Sequence, residues 1–294
     1  MELPALVSDE GGQCRLRLVV AYDGTDFSGW ATQPGRRTVC ETIETTLATI
    51  LRSPIRLTVA GRTDAGVHAS AQVAHCDVPV ESLQARSIDG DPSRLVRRLA
   101  KMLPDDVRVK AVERVSTDFD ARFSALARTY EYRLSDALWG AEPTLARSTA
   151  DWPRALDLDL INAASRTLVG LNDFAAFCRY REGATTIREL QEFSWHRDDA
   201  GVLVGTVRAD AFCWSMVRSL VGSVSLVADG RRDLDWCAGL LRERKRSAQI
   251  PVAPARGLCL MNVDYPPPAE WAARSERTRD KRDAGDLGGG CCGD

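Results

Sequence analysis

The chain has 294 residues, 44% of them hydrophobic and 27% charged, with a net charge of −2 at pH 7. That balance is that of a folded globular protein, and the length suits one large domain or two of about 100–150 residues. No uninterrupted apolar run approaches the ~18 residues that cross a bilayer, and the acidic start, Met1 to Gln13, lacks a basic-then-apolar export signal, so a cytoplasmic protein without membrane association is expected.

The acidic total argues mildly against a nucleic-acid partner. Residues 14–133, however, carry 18 basic against 15 acidic side chains, and such a partner needs a local basic surface, not a basic total. Only four of the 39 basic residues are lysine. Phosphate recognition and codon bias both produce such an arginine excess. Nine cysteines without regular spacing read, in a chain with no export signal, as reduced thiols, several of them small core residues.

Residues 1–13 read as a disordered N-terminus. Leu16, Leu18 and Val20 then alternate on one face of a strand over 15–21. A turn-rich stretch, Tyr22 to Trp30, leads to Thr38 and Glu41, a capping box for a helix with Val39, Ile43, Leu47, Ile50 and Leu51 inward. Strand-like segments at 55–60 and 72–78 flank a loop. Ser93 is placed to cap a second helix that stops before Pro104, and its Arg94, Arg97, Arg98 and Lys101 either meet phosphates or form a solvated face. A strand over 107–115 closes a first half, 14–120.

The second half, 121–266, opens on a strand at 127–134. After a loop over 136–156 come a helix with Leu158, Ile161 and Leu168 inward, strands at 187–195 and 202–209, a helix near 214–228, another at 234–244 and a strand at 258–264. This order favours an α+β fold of two similar halves with largely antiparallel sheets. Residues 267–294 are charge-rich and then glycine-rich, and read as a flexible tail in which Cys291 and Cys292 lack further metal ligands.

The loop Gly61-Arg62-Thr63-Asp64-Ala65-Gly66-Val67-His68-Ala69 holds a carboxylate between two strands, with an arginine two positions away. A structural turn and a catalytic loop both fit an isolated Asp-Ala-Gly. No pair among His68, His75 and His196 has metal-binding spacing with a third ligand. A phosphate-binding Gly-Lys-Ser/Thr loop and a dinucleotide fingerprint are also absent, so no cofactor is expected.

The whole nine-residue string resembles the active-site loop of the tRNA pseudouridine synthase A (TruA) family. The resemblance extends over roughly 15–266. It includes Tyr22-Asp23-Gly24 through Gly29-Trp30, Ala121 to Ala125 leading into Arg128-Thr129-Tyr130-Glu131-Tyr132, and Gly170 to Phe174. Ala211-Phe212 with Met216-Val217-Arg218, and Ala253 to Leu258, complete it. It implies the pseudouridine synthase fold, with two halves flanking an RNA-binding cleft. It also implies cofactor-independent isomerisation of uridine to pseudouridine at positions 38, 39 and 40 of the tRNA anticodon stem-loop, by a homodimer. By the same resemblance Asp64 is the catalytic carboxylate, Tyr130 the base-stacking tyrosine, Arg218 the cation beside Asp64, and Arg62 the arginine that takes the place of the displaced base. A loop-bracing salt bridge is the other reading of Arg62. Arg128, Tyr130, Tyr132 and Leu134 share one strand face, and Tyr132 is assigned to the core.

Overall fold

The computed structural model describes residues 12–280 and 285–286. The expected disorder of 1–13 falls mostly outside the described residues, as do Cys291 and Cys292. Two compact units emerge: residues 1–126 with 262–279, and residues 127–261 with 280–294. The boundary therefore falls at 126/127 instead of 120/121, and the chain returns to the first unit after 261.

The first unit is built on β1 (Gln13–Tyr22), followed by α1 (Val39–Leu51), β2 (Thr58–Val59) and β3 (His68–Pro79). It continues with α2 (Leu95–Met102) and β4 (Val107–Val115). β1 lies between β3 and β4, antiparallel to both, with Leu18 opposite Ala74 on one side and Val112 on the other. Leu16, Leu18 and Val20 are fully buried, as their alternation requires. The β1–β3 register slips between Val20 and Tyr22, an irregularity that re-aims the chain just where it delivers Tyr22 to the loop described below.

Two helix starts differ from expectation. Thr38 does stand at the N-cap of α1, but its side chain makes no capping hydrogen bond. Of the amides it could serve, that of Cys40 already donates to Trp30 O, and the preceding Val39 N–H is held by Gly29 O. Asp91, not Ser93, caps the turn before α2, by accepting from Ser93 N–H at 2.9 Å.

The second unit takes β5 (Ala127–Ser135), β6 (Ala150–Asp151), α3 (Leu158–Arg166) and β7 (Gly170–Asp173). β8 (Ile187–Arg197), β9 (Leu203–Ala209), α4 (Met216–Ala228) and α5 (Leu234–Gly239) follow. Strands β5, β9, β8 and β7 pair antiparallel in that order, and β6 runs parallel to β5. In α4 every residue except the half-buried Arg218 is buried. Cys178 and Cys213 are joined as a disulfide, which departs from the expectation of reduced thiols throughout. Cys14, Cys40, Cys76 and Cys237 are buried free thiols.

β10 (Leu258–Asp264) precedes a last helix, α6 (Trp271–Arg279). The reading of 267–294 as a flexible tail fails over this helix. Trp271 is 6% exposed and meets the Phe119 ring edge-on at 4.9 Å. Its indole N–H donates to Pro266 O at 3.0 Å, and Arg274 reaches Ala125 O. Among the described residues no helix is long and apolar enough to cross a membrane.

Candidate active site

In the first unit Asp64 sits on the loop between β2 and β3, which the Ala60 N–H to Val73 O bond closes at its base. Residues 64–67 form a turn, with Val67 N–H donating to Asp64 O at 3.2 Å and Gly66 at φ +78°. A turn of this kind needs a residue that tolerates positive φ at its third position. The segment from Tyr22 to Trp30 lies across this loop and holds it. Trp30 N–H donates to Thr63 O at 3.1 Å, and Gly66 N–H to Phe27 O at 3.4 Å. Gly24 N–H donates to His68 Nδ1 at 3.0 Å, and Asp23 Oδ1 lies 3.1 Å from the same nitrogen.

Side chains complete the brace. The Tyr22 hydroxyl and Thr63 Oγ1 are hydrogen-bonded at 2.8 Å, and Gln72 Nε2 donates to Gly61 O at 2.8 Å. Thr63 and Gln72 are both buried, where unpaired polar groups would each cost about 1–3 kcal/mol. Gly29 permits the closest approach. Its φ is +90°, and a Cβ there would lie 2.8 Å from Thr63 O and 3.2 Å from the Asp64 carbonyl carbon. The result is a half-buried Asp64 at a defined position, with Arg62 exposed beside it. Cys40 is close in sequence to these contacts, but burial, then Glu44, pushes its thiol up to about 12; it is no nucleophile at neutral pH.

The second unit presents Tyr130 and Arg218. Tyr130, 7% exposed on β5, meets Phe212 edge-to-face with ring centroids 5.2 Å apart and planes at 88°. Tyr132, on the same strand face, is fully buried and donates its hydroxyl to Pro254 O at 2.8 Å. Burial pushes that hydroxyl's pKa well up, against the pull of Arg218 and Arg256, so Tyr132 is a neutral core donor, the assignment made for it from the sequence. Arg218 is fixed by the chain around Pro251–Pro254. Its Nε donates to Ala253 O at 2.6 Å, while Ala253 N–H donates to Arg218 O at 3.0 Å. Gly222, one turn further along α4, makes this approach possible. A Cβ there would fall 1.9 Å from Pro251 O.

The structure thus puts Asp64 and Arg62 on one loop of the first unit, and Tyr130 and Arg218 on a strand and a helix of the second. Sequence reasoning did not single out the bracing residues Tyr22, Thr63 and Gln72, nor Phe212 beside Tyr130. Tyr22, Thr63 and Phe212 lie within the motifs quoted above, whereas Gln72 carries no local signal.

A family model described as tRNA pseudouridine synthase matches residues 18–124 and 164–266; the first stretch holds Asp64 and the second Arg218, with Tyr130 between them. The chain belongs to this family. It is 51% identical over 288 residues to the tRNA pseudouridine synthase A of Mycobacterium leprae, covering 96% of this chain and 99% of that protein. To the protein of the same name from Corynebacterium glutamicum it is 51% identical over 280 residues, covering 93% and 96%. The Frankia casuarinae protein of that name is 51% identical over 270 residues, covering 91% and 95%.

Proposed function

We propose that Asp64 is the catalytic carboxylate of this tRNA pseudouridine synthase and that its targets are uridines 38, 39 and 40 of the anticodon stem-loop. The enzyme isomerises uridine in tRNA without a cofactor. The reaction breaks the N-glycosidic bond, turns the detached uracil and rejoins the sugar to carbon 5. The proton lost from carbon 5 is balanced by one gained at the ring nitrogen that is released. Such a step needs one ionised carboxylate next to the sugar carbon or base, in a site that excludes water.

The observation that carries the reading is the Asp64 loop itself: the full Gly61–Ala69 string, braced through Thr63, Gly66 and His68 by residues 22–30. A uracil taken out of the RNA stack needs an aromatic face in place of its neighbours, which is the role assigned to Tyr130. Arg218 supplies the cation paired with the carboxylate, and Arg62 enters the stem-loop where the base has left. The two halves flank the RNA-binding cleft, and the enzyme works as a cytoplasmic homodimer with each tRNA touching both subunits. Chemical mapping of pseudouridine in tRNA from cells lacking the protein tests the target assignment. Loss confined to positions 38–40, restored by the wild-type chain, is the expected result; unchanged modification there refutes it.

A further inference from the structure

Away from the Asp64 loop, the first unit carries a hollow of about 840 Å³ lined by the end of α1 and the chain around residues 81–87, with Arg98 of α2. Three guanidinium groups line it, from Arg52, Arg86 and Arg98, together with Glu81, Ser82 and Ser87. Several arginines elsewhere in this protein are matched to a carboxylate, as in Arg15–Asp77, Arg37–Asp106, Arg197–Asp136 and Arg244–Asp173. Among the described residues none of the three arginines of the hollow makes an ion pair. Arg98 instead donates to the Ser87 hydroxyl, which fixes its fork in place, and Arg52 and Arg86 stand exposed at the rim.

The charge balance survives the opposing groups. Against three positive charges stand Glu81 and the carbonyl end of α1, the latter equivalent to about half a negative charge. About one and a half positive charges remain in a concave surface, where field lines concentrate. Planar forks and hydroxyl donors facing one hollow suit tetrahedral phosphate oxygens.

We infer that this hollow is a second contact for the tRNA substrate, gripping backbone phosphates remote from the reacting uridine. The inference rests on the tRNA reading given above. α1 connects the two places: its first amides bond Gly29 and Trp30, which hold the Asp64 loop, and its last turn lines the hollow. Its 13 residues set the two about 20 Å apart along the helix, a span within one folded tRNA. Phosphate contacts of this type position the substrate without reading its sequence.

The test compares wild type with Arg86→Ala, Arg52→Ala and the double variant, on full-length tRNA and on an isolated anticodon stem-loop. Arg86 and Arg52 are exposed, so the variants fold. Each lost phosphate contact lowers the slope of log K against log salt by about 0.7–0.9. The expected result is a shallower slope and several-fold weaker binding of full-length tRNA, largest in the double variant, with unchanged turnover at saturating tRNA. Arg56→Ala, which removes the same charge from an exposed arginine already paired with Glu44, serves as the control and leaves the slope alone. Identical slopes and affinities in wild type and double variant overturn the proposal. So does binding of inorganic triphosphate that neither competes with tRNA nor survives in the double variant, while tRNA affinity and slope stay at wild type; it would make the hollow a small-polyanion site. A wild-type enzyme that forms no pseudouridine in tRNA would refute the functional reading instead, and product formation on the stem-loop reports on that separately.

Discussion

The two places that carry the assigned residues are held by different physics. Asp64 is positioned by backbone: amides of Gly24, Trp30 and Gly66 tie its loop to a segment some 40 residues earlier, and Gly29 has no side chain so that the two backbones can touch. Tyr130 is positioned by packing, on a strand face between buried neighbours and against the Phe212 ring. Hydrogen-bonded backbone fixes a small group to within a fraction of an ångström, which bond-making at a single atom requires. Packing supports a flat ring, for which stacking tolerates more freedom. A loop of the first kind fails abruptly when altered, and a surface of the second kind fails by degrees.

Among changes that leave the assigned residues in place, the largest effect is expected from Gly29→Ala. The added methyl would press on Thr63 O and the Asp64 carbonyl carbon at a positive φ, so the loop must move. A displacement of about 1 Å costs roughly 10²-fold in rate. Gly61→Ala, at the same loop's edge, meets no atom within 4 Å and should leave kcat within about twofold. Single-turnover rates of the two variants separate a brace from a merely glycine-rich loop, and equal rates would refute the brace.

Next comes Trp271→Ala, which removes a buried indole packed on Phe119 and should destabilise the first unit by about 3–5 kcal/mol. Truncation after residue 266 should lower the melting temperature likewise. Unchanged melting would return α6 to the status of a tail.

Tyr130→Phe keeps the ring and loses the hydroxyl, whereas Tyr130→Ala loses both. Stacking predicts measurable activity for Phe and a further loss of about 1–3 kcal/mol, roughly 5- to 150-fold, for Ala. Equal, near-total loss in both would assign the hydroxyl a proton-transfer role.

The smallest effect concerns pH. His75, buried in β3, accepts a hydrogen bond from Ala121 N–H at 3.0 Å. Burial, then the Arg15 charge, holds its pKa below the usual value, and Asp120 and Asp77 oppose without reversing this. The folded state therefore keeps His75 neutral while the unfolded chain binds a proton below about pH 6.5. Its stabilising contribution is present above that pH and is lost as pH falls from there toward the folded pKa, at no more than about 1.4 kcal/mol per pH unit. Urea midpoints against pH should show this slope in wild type and a flatter one in His75→Gln.

What the sequence disclosed follows the same division. The Gly61–Ala69 string was legible because its chemistry is local: a carboxylate, its turn glycine and its neighbours stand within nine residues. Tyr130 and Tyr132 share a strand face and are both buried, so alternation could not separate them; only the resemblance singled out Tyr130. The brace was not legible, since Gln72, Tyr22 and Thr63 meet only after β1 and β3 pair. The cap at Thr38 was misjudged for a related reason, the distant carbonyl of Trp30 holding the Cys40 amide that the side chain could have served. Over 267–279, α6 has charged residues around a buried stripe of only Trp271 and Ser275, so periodicity gave no warning that one indole would anchor it.

The central claim is that the Asp64 carboxylate makes and breaks the bonds. Single-turnover pseudouridine formation and tRNA binding, measured together on Asp64→Asn, test it most directly. The amide keeps the loop's shape and removes the charge, so binding should stay near wild type while product formation falls by several orders of magnitude. Product formation above about a tenth of the wild-type rate, with binding intact, would contradict the assignment.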